Sequence, residues 1–533
     1  MPAGKPAAPE ADPARLAQRM EQYLADHPAA ALLEEGRVLF DMRTARYSVT
    51  ADHGRCLLQL WSEERNLVRT VVEIQERAHS LRLLVRRLGT AKPQALELVP
   101  SSVRRTPTAR DQARRNYQRL LERVLTRNCI GCKVDGLRSA MDLEHSFGPA
   151  YVRGRLLLGT TAEAVIGVGE AESPAIIDGI LTLGILWLDY CRAHSDGRRH
   201  FGGLKVIVPP SSWRTTAERM HWLNHAAANF QLFTLDERSE EFTPVDYQDI
   251  GNLDPHLVHA FSCDAALDRC RQGLDRLQAL LPTMARVELR AVSATQVSLL
   301  LHGLEFARVR HGASTHSFAD QVEVTFGAGA NETLLTPETE HLCRDLCARL
   351  FQSRYPDGLH TDPLFRMQPE RWLESRLRAG IAGLLPSLRE DLLYSQVPAM
   401  AGGDRGMLDM LTLDRSGRLA VIELKANEDL HLPLQALDYW MRVRALNNDR
   451  QNTNEGVRPR SAFERNGYFP GVEVSSIEPR MLLVAPALRI HPANEPVLRY
   501  LSPQVEWELI ALSEEWRREL SVVFRKRSGP AHP

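Results

Sequence analysis

Charged side chains interrupt two short apolar segments near residues 405–430, and this feature constrains the fold of the chain most strongly. Asp409 lies within MLDMLTL, and Glu423 and Lys425 lie within LAVIELKA. Continuous aliphatic segments of this length are typical of strands that are buried on both faces. Because a charged side chain is costly to bury unless it is paired or binds a cation, these three charges predict an ion-pair cluster or a cation site.

The connection between the two segments predicts a β-hairpin. It reads DRSGR at 414–418, and a three-residue loop commonly ends on a residue with positive φ, which suits Gly417. A loop at 415–417 sets position 414 opposite 418, and the same register sets Asp409 opposite Glu423. Side chains alternate along a strand, so Glu423 and Lys425 share one face. Two carboxylates would then meet beside a lysine, and like charges placed so closely repel each other unless a cation lies between them.

Oxygen ligands of this kind suit Mg²⁺ or Mn²⁺. Such an ion lowers the pKa of a bound water and neutralises the charge that builds on a phosphodiester during hydrolysis. Lys425 would position or activate that water, or stabilise the transition state. The alternative is a salt-bridged Glu-x-Lys pair on a solvated strand, which the aliphatic residues around Glu423 disfavour.

The predicted helix after the second strand carries two further polar candidates. Gln435 and Tyr439 are four residues apart, so they share one helical face. Both side chains can hydrogen-bond a phosphate or a metal-bound water. An ordinary polar edge on a buried helix explains the pair equally well.

The order Asp409, then Glu423-Leu424-Lys425, then Gln435-x3-Tyr439 resembles the PD-(D/E)XK nuclease superfamily, with the Q-x3-Y extension of its RecB-like members. Within that superfamily the pattern resembles the catalytic domain of the NucS/EndoMS endonucleases. Those carry a helical Leu-Glu upstream and an Arg/Gly-flanked Asp strand, which match Leu373-Glu374 and Arg405-Gly406 here.

The resemblance covers about 366–500 and implies a role for each matched residue. Asp409 and Glu423 would be metal ligands, with Glu374 completing the acidic cluster, and Lys425 would be catalytic. Gln435 and Tyr439 would support the site. Glu370 lies one turn before Glu374, so either carboxylate could point into the site. The implied fold is a restriction-endonuclease-like mixed sheet flanked by helices, in the order αβββαβ.

An internal repeat is indicated by four pieces of sequence that recur in the same order. The stretches 152–173, 176–193, 202–210 and 220–237 resemble 405–429, 430–445, 479–487 and 498–515. This predicts a duplicated domain, although two unrelated α/β pieces with the same element order would look similar. When Arg153-Gly154 is aligned with Arg405-Gly406, Leu157 matches Asp409. In the segments that follow, Gly167 and Gly169 match Glu423 and Lys425, and Leu186 and Tyr190 match Gln435 and Tyr439. We therefore expect the first copy to be a degenerate, non-catalytic domain.

The chain length and the placement of these segments predict an α/β (α+β) protein of several domains. The 533 residues allow two to four domains. We predict a disordered tail and leading helix (1–28), a β-rich unit (29–107), a degenerate nuclease-like domain (108–240), a linker with a middle α/β unit (241–365), and the nuclease domain (366–533).

Composition excludes a strongly basic nucleic-acid-binding protein. The formal net charge is −1, from 66 basic and 67 acidic residues, so any DNA site must be a local basic patch. No N-terminal apolar segment is typical of a signal peptide, and no apolar run is long enough for a membrane span, so a cytoplasmic location is expected.

Cysteine usage gives little support for a structural metal. There are eight cysteines, most of them isolated, and none of the spacings resembles a secreted disulfide framework. Cys129 and Cys132 form a single C-x-x-C, which could be half of a zinc site or a redox pair. Because no second pair supplies the remaining ligands, we expect free thiols.

A polar insertion at 447–471 is a second candidate for contact with nucleic acid. It combines charge with aromatic rings, which suits binding to a phosphate backbone and stacking on bases. A mobile solvated loop is an equally good interpretation. The residues concerned are Arg450, Arg458, Arg460, Arg465, Phe463, Tyr468 and Phe469.

Together these features predict an endodeoxyribonuclease that uses Mg²⁺ or Mn²⁺ and acts in repair, recombination or defence. The main alternative is a non-catalytic nucleic-acid-binding scaffold that kept a nuclease-like fold. A third interpretation is a nuclease that acts only with a partner such as a helicase. A homodimer would also suit the family, and the sequence leaves DNA versus RNA open.

Overall fold

The structure, a computed structural model, falls into two compact units, Met1–Asn116 and Tyr117–Pro533. The described residues are 12–28, 30–34, 37–42, 45–52, 55–61, 66–77, 80–86, 94–100, 107–142, 146–195, 197, 199–249, 255–314, 317–329, 333–401, 404–451 and 458–529. Residues 1–11, which belong to the predicted disordered tail, lie outside these ranges, as do 452–457 of the polar insertion.

The first unit is a seven-stranded antiparallel sheet with one helix packed on it. The strands run in the order β2-β1-β7-β6-β5-β4-β3. The apolar face of α1, with Leu16, Met20 and Leu24, closes the core against the sheet. The elements are α1 (Pro13–Asp26), β1 (Ala31–Glu34), β2 (Arg37–Asp41), β3 (Arg46–Asp52), β4 (Arg55–Trp61), β5 (Asn66–Arg77), β6 (Ser80–Arg86) and β7 (Gln94–Val99).

The second unit begins with a six-stranded mixed sheet in the order β13-β12-β11-β10-β9-β8. The strands β10, β11 and β12 are parallel, and the remaining neighbours are antiparallel. The boundary between the two units falls within α2 (Pro107–Asn128). The elements that follow are β8 (Lys133–Arg138), β9 (Tyr151–Leu158), β10 (Thr161–Val168), α3 (Pro174–Asp178), α4 (Ile180–Ala193), β11 (His200–Val208), α5 (Trp213–His221), β12 (Asn229–Leu235) and β13 (Phe242–Val245).

A five-stranded antiparallel sheet lies next in the chain, in the order β15-β16-β17-β18-β19. Two helices pack on it, and Cys343 and Cys347 of the second helix are fully buried in the shared core. The elements of this middle part are β14 (His256–Leu257), α6 (Cys263–Gln278), β15 (Val287–Ser293), β16 (Gln296–Leu301), β17 (Leu304–Ser314), β18 (Ser317–Phe326), β19 (Thr333–Leu334) and α7 (Glu340–Ser353).

The C-terminal part forms a seven-stranded mixed sheet in the order β14-β20-β21-β22-β23-β24-β25. Again three neighbouring strands, β22, β23 and β24, are parallel. Its elements are α8 (Pro363–Arg366), α9 (Pro369–Leu384), β20 (Tyr394–Ala401), β21 (Asp404–Leu413), β22 (Leu419–Leu424), α10 (Leu432–Asn448), α11 (Ala462–Arg465), β23 (Arg480–Pro486), α12 (Asn494–Arg499), β24 (Trp507–Leu512) and β25 (Val522–Arg527).

Apart from the additional edge strand β14, the two mixed sheets have the same strand order and the same strand directions. The strands β8 to β13 correspond one by one to β20 to β25, and each set is preceded by a helix, α2 or α9. The helices α4 and α5 occupy the chain positions of α10 and α12. Apolar side chains of α4 and α10, with those of both sheets, form one continuous core. The chain is therefore a mixed α/β protein built on several sheets.

The hairpin of β21 and β22 has the register predicted from its turn. Met410 pairs with Ile422 and Leu413 pairs with Leu419, so the position opposite Glu423 is that of Asp409. Gly417 has a φ of +82°, and a Cβ there would lie 2.3 Å from the Glu473 carbonyl oxygen. Glycine is thus required at this turn both by backbone conformation and by packing.

The structure contradicts the prediction that aromatic residues of the 447–471 insertion stack on bases. Phe463, Tyr468 and Phe469 are buried and pack with Val443 of α10 in the core beneath β21. The burial of these three rings fixes the second described stretch of the insertion, 458–471, against the sheet. These rings are therefore part of the fold and are not available to a substrate.

Within the described part of the chain, no helix is both long enough and apolar enough to span a lipid bilayer.

Candidate active site

The carboxyl end of β22 brings together the three charges that the sequence singled out. Glu423 is 3% exposed and faces α10, while Ile422 and Leu424 pack against α9. Asp409 on β21 accepts a hydrogen bond from the backbone N–H of Leu424, with an Oδ2 to N distance of 3.1 Å. The two carboxylates therefore lie side by side at the end of the hairpin.

Lys425 lies at the centre of a cluster of carboxylates. Its Nζ is 3.7 Å from Glu423 Oε1, 3.7 Å from Asp429 Oδ2 and 4.0 Å from Glu370 Oε1. Burial lowers the pKa of Lys425, but these carboxylates outweigh burial, and the net effect is a raised pKa. With Asp409, four acids surround one lysine, so the cluster carries an excess of negative charge.

Glu423 is the carboxylate that this excess affects most. Burial raises the pKa of Glu423 well above its ordinary value, and the neighbouring charge of Asp409 raises it further. Within the described part of the chain, its Oε2 atom is buried and has no hydrogen-bond partner. A buried carboxylate in this state requires a proton or a cation.

The chemistry of this donor set fits a hard divalent cation. Asp409 and Glu423 offer only oxygen atoms, and the unpartnered Oε2 of Glu423 is a free ligand position. In the described ranges, no group of three or more Asp, Glu, His or Cys side chains is already arranged around one ion position. The residues present therefore supply a pair of ligands, and further ligands would come from water, substrate or a moved side chain.

Glu374, predicted as the helical ligand, has a different environment from the one expected. It is buried, and its Oε1 lies 2.9 Å from Arg290 Nη1 and its Oε2 2.8 Å from Arg371 Nη1. Two guanidinium groups thus neutralise this carboxylate. Glu370, one turn earlier on α9, is the helical carboxylate beside Lys425. The contacts therefore place Glu370, and not Glu374, beside Lys425, and the role of Glu374 as a metal ligand stays a prediction.

Gln396 on β20 joins Glu374 to the site and was missed in the sequence. Its Nε2 donates to Glu374 Oε2 at 3.1 Å and reaches Asp409 Oδ1 at 3.4 Å. Gln396 also has a φ of +55°, a backbone conformation that costs a non-glycine residue free energy. Nothing in the local sequence signals this conformation. Asp429, by contrast, could have been found, because it lies four residues after Lys425 in an acidic loop.

The two polar residues of α10 lie in the same electrostatic field. Burial raises the pKa of Tyr439, and the charges of Glu423 and Asp409 raise it further. In the described part of the chain, Gln435 Oε1 is buried without a hydrogen-bond partner. Tyr439 is therefore near the carboxylate pair, and Gln435, one turn earlier on α10, has hydrogen-bonding capacity for a ligand.

Strand pairing shows that the sequence alignment of the first mixed sheet was one residue out in β10. Gly167, aligned with Glu423, faces α2, where a Cβ would lie 2.7 Å from Tyr117 Oη. Glu423 faces the other side of its sheet and pairs with Leu483, three residues before Pro486. The residue with that face and that pairing is Ile166, which pairs with Val206, three residues before Pro209. We therefore take Ile166 as the equivalent of Glu423.

The corrected register changes the other equivalent residues as well. Val168 takes the place of Lys425, and Arg153, which pairs with Ile166, takes the place of Asp409. Arg153 is fully buried, and its charge lies near Tyr190. Leu157 and Gly169 are thus not the matching residues, and the position of the first carboxylate holds a cation.

No protein-family model matches the chain, and no curated protein matches it. The chemistry of the acidic cluster is therefore the basis on which a function is assigned.

Proposed function

We propose that the protein is a metal-dependent endonuclease that hydrolyses DNA phosphodiester bonds, with one active centre at the end of β21 and β22. The observation that supports this most directly is the pair of carboxylates, Asp409 and Glu423, facing each other beside Lys425. The excess negative charge and the unpartnered Oε2 of Glu423 are the features that a divalent cation would satisfy. The order of these residues, which resembles the PD-(D/E)XK superfamily, agrees with this chemistry.

Asp409 and Glu423 would hold Mg²⁺ or Mn²⁺, and Glu370 is near enough to contribute through a water. When bound, the ion lowers the pKa of a water and offsets negative charge on the phosphate. Glu374 lies outside this group, where it holds Arg290 and Gln396 in place behind Asp409. We assign it a positioning role.

Lys425 would act as a cation and not as a base. Its raised pKa keeps the ammonium group charged at neutral pH. A fixed positive charge at this position attracts the phosphate and stabilises the charge that develops on it during attack by water. Gln435 and Tyr439 would orient that water or a phosphate oxygen by hydrogen bonds.

The decisive experiment compares wild type with Lys425→Ala on labelled substrates in Mg²⁺ or Mn²⁺. The panel contains linear duplex, single-stranded, flap, mismatch and junction DNA, and an RNA duplex. Lys133→Ala is the matched control, because Lys133 is exposed on β8 and away from the cluster. We expect cleavage of at least one DNA by wild type and Lys133→Ala, and a loss of at least 100-fold in Lys425→Ala, the size expected for removing a transition-state donor.

Two results would contradict the proposal. Equal cleavage by Lys425→Ala and wild type would place the activity elsewhere in the chain. Absence of cleavage of every substrate with Mn²⁺, together with equal metal binding by wild type and Asp409→Ala, would leave a nucleic-acid-binding scaffold as the better interpretation.

A further inference from the structure

We propose that one chain is a pseudodimer in which a second, inactivated centre faces the complementary strand, so that each binding event cuts one strand of a duplex. Here a pseudodimer means two copies of one fold within a single chain, related to each other in the way that the two subunits of a two-fold symmetric dimer are. This inference rests on the proposed nuclease function and specifies its product, a nick.

The two mixed sheets contact each other through corresponding segments. The backbone after α5 and the backbone after α12 pair antiparallel, with a bridge between Leu223 and Leu501. Asn224 N donates to Tyr500 O at 2.8 Å, and Ser502 N donates to the Trp222 carbonyl oxygen at 2.8 Å. The first segment lies between β11 and β12, and the second lies between the corresponding strands β23 and β24. The contact is therefore made by equivalent segments of the two sheets.

The ion pairs at this contact join corresponding elements in both directions, with the two arginines at different positions, because His221 is the residue aligned with Arg499. Arg219 of α5 lies 2.7 Å from Asp438 of α10, and Arg499 of α12 lies 3.8 Å from Asp189 of α4. Asp189 and Asp438 occupy matching positions in the Leu-Asp-Tyr sequences of the two helices. Helix α5 of the first copy thus meets α10 of the second, and α12 of the second meets α4 of the first. This exchange of corresponding elements is typical of an isologous, two-fold contact.

The first turns of the two central helices meet at the same contact. His431, which precedes α10, is 3.1 Å from Thr182 Oγ1 of α4 through its Nδ1. A Cβ on Gly179, which precedes α4, would lie 2.7 Å from His431 Cε1. The apolar residues on either side belong to one continuous core, so the arrangement is fixed by burial.

A two-fold protein arrangement matches the symmetry of a DNA duplex. The two strands of a duplex are antiparallel and related by local two-fold axes, which is why dimeric proteins bind symmetric sites. A two-fold pair of centres on one duplex therefore places one centre on each strand. In this chain the first sheet supplies the position of the second centre.

That second centre carries a cation where the active centre carries a metal ligand. Arg153 occupies the position of Asp409, and its Nη1 donates to Ala140 O at 2.9 Å. The guanidinium carbon lies 4.5 Å from the Phe147 ring centroid and 5.7 Å from that of Trp187. Its Nη2 also lies 3.9 Å from Asp142 Oδ2. A buried guanidinium held in this way occupies the position of the metal ligand with a cation, and Ile166 supplies no ligand.

Each binding event would then hydrolyse one phosphodiester bond. The oxygen of one water bonds to phosphorus, one phosphorus–oxygen ester bond breaks, and the leaving oxygen takes up a proton. The complementary strand, facing Arg153, keeps its ester bonds.

The test uses the purified full-length chain and supercoiled plasmid in Mg²⁺ or Mn²⁺, with enzyme in excess and at concentrations where light scattering shows a monomer. We expect all supercoiled DNA to become nicked circle before linear DNA forms. Formation of linear DNA at the same rate as nicked circle, by monomeric chain, would overturn the inference while leaving the nuclease function intact. Absence of any cleavage would count against the proposed function.

A mixing experiment separates one acting chain from two. Wild type is combined with a tenfold excess of Lys425→Ala on a duplex that is labelled differently on each strand. Nicking at an unchanged rate per active chain is expected. A fall in double-strand cleavage on adding the inactive chain would show that two active chains act together, which contradicts the inference. Cleavage of either strand by Lys425→Ala alone would also contradict it, because that activity would come from the second centre.

Discussion

At the scale of single residues, the sequence located the charged centre but not its full composition. Asp409, Glu423 and Lys425 are brought together because two of them share a strand face and the turn fixes the third. Glu370 and Glu374 are on one helical face, so spacing alone could not separate them. The choice depends on Arg290 of β15, which is distant in sequence and neutralises Glu374.

Glu423 should lower the stability of the metal-free protein, since its pKa is raised in the folded state. A carboxyl with a raised folded pKa binds its proton more tightly when folded, so its stabilising effect is present at low pH and is lost as pH rises. We expect the free energy of unfolding to fall as the pH rises above about 4.5, the ordinary value, towards the raised pKa. Each unit of elevation corresponds to about 1.4 kcal/mol.

Glu423→Gln should reduce this pH dependence, the remainder coming from Glu370, whose pKa burial also raises, and should stabilise the protein in EDTA at pH 8. Urea unfolding at pH 5 and pH 8 measures both effects, and Mn²⁺ should stabilise wild type but not the variant. Glu519→Gln, at an exposed position, is the matched control. If Glu423→Gln and wild type had the same pH dependence, the buried carboxylate would not be the source of the instability.

At the scale of elements, the residues of a turn predicted the pairing of its two strands, whereas the composition of the strands did not. The 414–418 turn predicted the hairpin register because a glycine with positive φ fixes the loop length. The first copy has a shorter turn between Leu158 and Thr161, and matching the two Arg-Gly pairs put β9 out by four residues and β10 out by one. A shift of one residue exchanges the two faces of a strand, which is why Ile166 and Val168 replace Gly167 and Gly169. The four-residue shift in β9 replaces Leu157 by Arg153 on the same face.

Gly417→Ala should destabilise the hairpin by about 3 kcal/mol. The positive φ costs an alanine about 1 kcal/mol, and the new Cβ would collide with the Glu473 carbonyl oxygen, 2.3 Å away. Gly471→Ala is the matched control, because Gly471 has a φ of +76° and no atom within 4 Å of the added Cβ. Urea unfolding should show a loss of only about 1 kcal/mol for the control. Equal losses in both variants would mean that packing at the turn contributes nothing.

At the scale of the whole molecule, the sequence predicted two copies of one fold but not how they join. The four recurring segments indicated the duplication because each carries the same alternation of strand and helix. The contact between the copies depends on pairs such as Arg219 with Asp438, which are far apart in sequence. Apolar helix faces specify burial without specifying the partner, so the two-fold contact emerged only from the structure.

Arg219→Ala should destabilise both copies at once, because Arg219 is 4% exposed and joins Asp178 of one copy to Asp438 of the other. Its Nε and Nη2 donate to the two oxygens of Asp438 at 2.8 and 2.7 Å, and its Nη1 donates to the Asp178 carbonyl oxygen at 2.7 Å. Asp438 is mostly buried and Asp178 is about half exposed, so we expect a loss of about 3 kcal/mol, the lower end of the range for breaking a buried pair.

Arg214→Ala, on the same helix but with a 57% exposed side chain, should change stability by less than about 0.5 kcal/mol. Hydrogen exchange then tests the coupling, since α4 and α10 should lose protection together in Arg219→Ala if one core holds both copies. Loss of protection in α5 alone would show that each copy folds on its own. Asp438 directly precedes Tyr439, so a joint loss would also mean that the first mixed sheet holds the α10 face of the proposed active centre in place.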